Sequence, residues 1–134
     1  MQSLETIFSN IQTKLASSQE MKNYINSLSK EEYAHLATAY IIGRSGWERN
    51  YYDTNEYYSF VENNESSGIK VTQQMLDDKF LTNNIKKEQI QLTYDYELSS
   101  SDKFNGIYNH DWLGMKTNLI TEVQKGLNML GEIS

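Results

Sequence analysis

The 134-residue chain contains no cysteine, no proline and only two histidines. Each scarcity removes a class of function. Without cysteine there is no disulfide, thiolate metal site, iron–sulfur cluster or cysteine nucleophile. Long apolar runs are missing too. The longest, Ala39 to Ile42, is far below the roughly 20 residues that a membrane-spanning helix needs. Basic residues are in deficit, with 12 Lys and Arg against 18 Asp and Glu, a net charge of −6. Phosphates would be repelled and no basic stripe appears, which excludes nucleic acid and an anionic membrane surface as partners. The complement of such a charge is a basic protein surface.

What is present fits one modest core. Hydrophobic residues make up 38% of the chain, and a single domain over 1–134 is expected. Met1 to Asn10 carries Glu5 where a signal peptide would carry Lys or Arg, and no unbroken apolar run follows. A cytoplasmic location is therefore expected. Abundant Asn, Lys, Ile and Tyr without proline reflect an A/T-rich coding source, either a whole genome of that kind or a mobile accessory gene.

Helical periodicity dominates. Leu4, Ile7, Phe8, Ile11 and Leu15 fall on one helical face behind Ser3 as N-cap, which predicts a helix to about Ala16. Ser17 with Glu20, and Ser29 with Glu32, read as capping boxes opening two further helices. The first would bury Met21, Tyr24, Ile25 and Leu28. The second would bury Tyr33, Leu36, Ala37, Tyr40 and Ile41 and stop at Gly43. Asp53 with Glu56 would cap a short helix carrying Tyr57, Phe60 and Val61, and 63–68 reads as loop. Residues 72–81 suit another short helix. A final one carries Leu113, Leu119, Ile120, Val123, Leu127 and Leu130 and closes at Gly131.

Between them, Ile90, Leu92, Tyr94, Tyr96 and Leu98 alternate with polar residues at the period of a strand, with Ile69 and Val71 as partner, and 99–106 reads as loop. The expected fold is mainly α, a bundle of about five to six helices. An α+β variant with one short β-hairpin around 69–72 and 89–98 is the alternative.

Two segments, Leu28–Gly46 (LSKEEYAHLATAYIIGRSG) and Trp112–Gly131 (WLGMKTNLITEVQKGLNMLG), resemble a family of small helical bacterial proteins of unknown function. The family pattern has a capped helix ending in a Leu-Gly-Arg-Gly type turn, then a Leu-Leu-Gly turn into a helix ending in Glu-Gly-Leu and a glycine. Ser29, Glu32, Leu36, Ile42, Gly43 and Arg44 match the first part, and Leu113, Gly114, Leu119, Gly126 and Leu127 the second. The stretch between them is longer than in the family, and Lys116 stands near the family's proline. The resemblance implies a helical frame and carries no functional residues.

The charge map sharpens this. Residues 1–46 and 112–134 are each neutral, whereas 47–111 hold six basic and twelve acidic side chains with seven of the ten tyrosines. The densest part combines Trp47, Tyr51, Tyr52, Tyr57 and Tyr58 with Glu48, Asp53, Glu56, Glu62 and Glu65. Tyrosine brings large contact area with few rotatable bonds, and carboxylates steer a basic partner, so these ten residues are the expected partner-binding site. The plainer reading makes the tyrosines core and the carboxylates a solubility feature.

Catalytic and metal chemistry is thin. His35 is expected to face solvent, and its spacing from Glu31 and Glu32 is common by chance. His110 beside Asp111 has the makings of an oriented general base, with Arg44 as a third member, but equally of a polar loop. No cofactor or metal is expected. The leading expectation is a non-enzymatic inhibitor, an immunity protein neutralising a cognate bacterial toxin with a basic cleft. The alternatives are a phage-encoded inhibitor of a host defence protein, a helical adaptor, and an enzyme using His110 and Asp111.

Overall fold

A computed structural model describes residues 1–108 and 112–132. Among these residues the chain forms seven helices and one two-stranded hairpin: α1 Leu4–Gln12, α2 Gln19–Ser27, α3 Lys30–Ser45, α4 Asn55–Ser66, α5 Gln73–Phe80, α6 Asn83–Ser100, β1 Lys103–Phe104, β2 Ile107–Tyr108 and α7 Leu119–Gly131. Mainly α with a short hairpin is therefore the class. The chain divides into two compact units, one of Met1–Gly46 with Ile90–Ser134 and one of Trp47–Gln89.

Local capping starts most helices of the first unit. Ser3 Oγ accepts the Thr6 N–H, and at Ser29 both halves of the capping box are made, with the Glu32 carboxylate accepting the Ser29 N–H. The α2 cap lies one residue later than expected, at Ser18. Ser17 has φ +61 and its hydroxyl donates to the Met115 carbonyl instead. Helix α1 stops at Gln12, so Leu15 is exposed and not part of the inward face.

Helix α3 is the centre of this unit. It buries Tyr33, Ala34, Leu36, Ala37, Thr38, Ala39, Tyr40 and Ile42, nearly all round its circumference, as a core helix does. It packs along α7, and α1 touches both. Gly43 does not end α3; the helix runs to Ser45 and is capped by Gly46, at φ +74. Gly43 and Gly126 instead let the two backbones meet. A Cβ on Gly43 would lie 1.8 Å from the Glu122 carbonyl oxygen, and one on Gly126 would lie 2.0 Å from that of Ala39.

The expected strand at 90–98 is a helix. Ile90, Thr93, Tyr94, Glu97 and Leu98, followed by Ser101, form its sheltered side at spacings of three and four, while Leu92 (62% exposed) and Tyr96 lie on the opposite side. Apolar residues on both sides of one helix, with polar Thr93 and Glu97 in the sheltered stripe, reproduce a period of two by coincidence. Burial pushes the Glu97 carboxyl above its ordinary range, and the Arg44 charge pulls it partly back. A strand would have made Leu92→Asp severely destabilising. On the exposed face of α6 the change should cost within about 0.5 kcal/mol in a thermal melt; a large loss would contradict the helix.

The hairpin is also displaced from its expected place. Residues 69–72 pair with nothing as a strand: Val71 packs into the second unit and Thr72 caps α5. The pairing is β1 with β2, Lys103 opposite Tyr108 and Phe104 opposite Ile107. Asn105 and Gly106, at φ +54 and +79, form a turn with two left-handed residues, which asparagine and glycine tolerate best. Tyr108 anchors this hairpin. Its ring stacks 4.1 Å from Tyr33, and its hydroxyl donates to the Leu28 carbonyl at 2.6 Å.

Candidate functional site

The second unit begins at Trp47, where the sequence turns acidic and aromatic. Its core is small: Tyr51, Leu76 and Leu81 are buried, with Trp47, Tyr57, Phe60, Val61, Val71 and Phe80 packed around them. Helix α4 is capped by Thr54, whose Oγ1 accepts the Tyr57 N–H, one residue beyond the expected Asp53. It continues through the expected loop to Ser66, and Gly68 at φ +77 turns the chain out of it.

Tyr51 organises this unit. It is 7% exposed, and its ring stacks on Phe80 at 5.2 Å and meets Tyr52 at 4.8 Å. Its hydroxyl donates to Asp77 Oδ1 at 2.8 Å and accepts from Gln73 Nε2 at 2.7 Å. Arg49 grips the same carboxylate at two points, Nε to Oδ1 at 2.9 Å and a terminal nitrogen to Oδ2 at 3.1 Å. The Tyr52 hydroxyl completes the network by donating to Gln73 Oε1 at 2.6 Å. Burial first, and the Asp77 hydrogen bond second, push the Tyr51 phenol up.

The Arg49 hydrogen bonds, aided by those from Tyr51 and Gln73, hold Asp77 at about 2 despite some desolvation. A carboxylate depressed in the folded state stabilises above its unfolded pKa and loses that contribution as pH falls through the folded one. This unit should therefore weaken between about pH 4 and pH 2, and Asp77→Asn should flatten the dependence in that window. Trp47 fluorescence in a Trp112→Phe background is the measurement. An unchanged slope in the Asn variant would show that the pair does not form.

Beside Tyr51 lies an open groove of ≈340 Å³. Tyr51, Phe80, Leu81 and Ile85 give it apolar walls; Glu48 and Glu56 supply its two charges, and neither lysine nor arginine lines it. Gln89 fixes the Glu48 segment from α6. Its Oε1 accepts the Glu48 N–H at 2.8 Å, and its Nε2 donates to the Glu48 carbonyl at 2.9 Å.

The ten expected site residues separate into groups. Glu48, Tyr51 and Glu56 meet in the groove. Trp47 is half-buried against the small core, with Lys86 Nζ 5.6 Å from its ring centroid. Tyr52 and Tyr57 stack beside Tyr51, and Asp53 is exposed in the turn before α4. Tyr58, Glu62 and Glu65 share the outward face of α4 at spacings of four and three, with Tyr58 57% exposed. Sequence reasoning missed Arg49, Gln73 and Asp77, and also Phe80, Leu81, Ile85 and Gln89. Arg49 stands two residues before Tyr51 but as a cation among expected acidic residues; the others lie in α5, in α6 or between them, and no local pattern marks them as neighbours of Tyr51.

Among the described residues no group of three His, Asp or Glu side chains is placed to hold a metal. Glu32 is committed to the Ser29 and Gln2 N–H groups, and His35 lies 4.5 Å from the Tyr94 ring. His110 and Asp111 lie outside the described residues. Among the described residues no helix is long and apolar enough to cross a membrane. No protein-family model, curated protein or solved structure matches the chain.

Proposed function

We propose that the chain is a non-enzymatic, protein-binding inhibitor, an immunity protein that neutralises a cognate bacterial toxin with a basic cleft in the cytoplasm. The observation that carries this reading is the groove of the Trp47–Gln89 unit, apolar inside and bearing only negative charge through Glu48 and Glu56. The outward Tyr58, Glu62 and Glu65 of α4 extend the same chemistry over a helix face. Aromatic contact area with flanking carboxylates suits an interface with a cationic protein, giving burial at the centre and steering at the rim. The net charge of −6 favours such an encounter at long range.

An inhibitor that acts by occupancy works by stoichiometry. Titrating the chain into the activity of a partner recovered by affinity capture should abolish that activity at one copy per partner, reversibly and without covalent change. Inactivation far below one equivalent would mean turnover, and the enzyme reading would replace this one.

A further inference from the structure

We propose that the groove beside Tyr51 receives an arginine side chain of the basic partner, an assignment that rests on the protein-binding reading above. The charged groups of the lining, Glu48 and Glu56, are both acceptors, and each side-chain amide has an N–H engaged. Asn50 Nδ2 donates to Glu48 Oε2 at 3.4 Å, and Gln89 is tied to the Glu48 backbone. Thr54 Oγ1 donates to the Tyr51 carbonyl at 2.8 Å and accepts the Tyr57 N–H at 3.1 Å. An anion would meet two carboxylates that repel it and no cationic side chain to hold it. A purely apolar side chain would strip water from Glu48 and Glu56 without replacing it.

A long cationic side chain meets both requirements, with its methylene stem on Phe80, Leu81 and Ile85 and its head at the carboxylates. Arginine fits better than lysine. Its flat guanidinium stacks on aromatic faces and bonds a carboxylate at two points, whereas an ammonium is a strongly hydrated point charge. The groove is open, and at ≈340 Å³ it sits at the small end of sites that enclose a free ligand. A side chain delivered by a protein surface suits it better than a free guanidinium compound.

The probes are three capped peptides, acetyl-Ala-Arg-Ala-amide and its Lys and Leu counterparts, titrated into the ¹⁵N-labelled full chain. The arginine peptide should shift the Glu48, Asn50, Ile85 and Gln89 amides saturably, with affinity on the order of millimolar. The lysine peptide should bind at least about threefold more weakly, and the leucine peptide and free guanidinium chloride should leave these amides unmoved. Glu48→Gln with Glu56→Gln should weaken the arginine peptide at least about fivefold. Glu5→Gln with Glu20→Gln, the same charge change at exposed positions of the other unit, should not.

Equal binding of the arginine and lysine peptides overturns the assignment. So do equal losses in the two double variants, shifts confined to residues outside the groove, or no binding. If any of these occurs while Asp53→Lys with Glu56→Lys still slows association with the captured partner, the protein-binding reading stands and only the groove assignment falls.

Discussion

Gly126→Ala is expected to destabilise the unit containing α3 and α7 by about 3 kcal/mol or more, lowering its melting temperature by at least about 10 °C. In an exposed helix the same change would stabilise by about 1 kcal/mol. The sign reverses because the added Cβ would meet the Ala39 oxygen at 2.0 Å, its carbonyl carbon at 2.7 Å and its Cα at 3.0 Å. All three are backbone atoms, so no rotamer change relieves the clash and the helices must separate. Gly43→Ala should behave alike, against the Glu122 oxygen and the Gly126 nitrogen. Gly131, the last residue of α7, has open space where its Cβ would go and serves as the control. A Gly131→Ala variant should melt at or slightly above the parent temperature, and three variants melting together would refute the close crossing.

Tyr51→Ala is expected to unfold the Trp47–Gln89 unit. Truncating a buried aromatic costs about 3–5 kcal/mol, and a unit this short buries too little apolar surface to absorb it. The variant also leaves Asp77 and Gln73 without their shared hydroxyl partner. Hydrogen exchange over 47–89 should accelerate to near unfolded rates. Protection there equal to the parent would mean that Tyr51 is a surface contact after all. Tyr51→Phe keeps the ring stack and isolates the smaller cost of the hydroxyl.

Features encoded within a few residues were legible from the sequence. The caps at Ser3 and Ser29, the inward stripe of α3 and the apolar face of α7 all follow from local spacing. Features that depend on tertiary partners were not. The sheltered stripe of α6 includes Thr93 and Glu97, so hydrophobicity pointed to the wrong period. Gly43 read as a helix stop because nothing in sequence reveals that another helix passes at backbone distance. The hairpin did carry a signal, Asn105-Gly106 between two short β-prone pairs, outweighed by the longer alternation before it.

At the site, the shift to acidic and aromatic composition marked the start of the second unit at Trp47. Composition did not distinguish a tyrosine that builds this unit from one left facing solvent. Tyr51 is consumed by Asp77, Gln73 and Phe80, whereas Tyr58 remains available for a partner. The groove joins 48–56 to 80–89, a proximity that only the fold creates.

The proposed inhibitor role places recognition of a basic protein on the Trp47–Gln89 unit. Surface-immobilised kinetics on the captured partner test it most directly. Asp53→Lys with Glu56→Lys should lower the association rate about tenfold and weaken its salt dependence, while Tyr58→Ala should chiefly raise the dissociation rate. Lys14→Glu with Lys22→Glu, in the other unit, should leave both rates near the parent values. Binding lost through the Lys14 and Lys22 changes and kept through those at Asp53 and Glu56 would put the interface on the other unit and contradict the account.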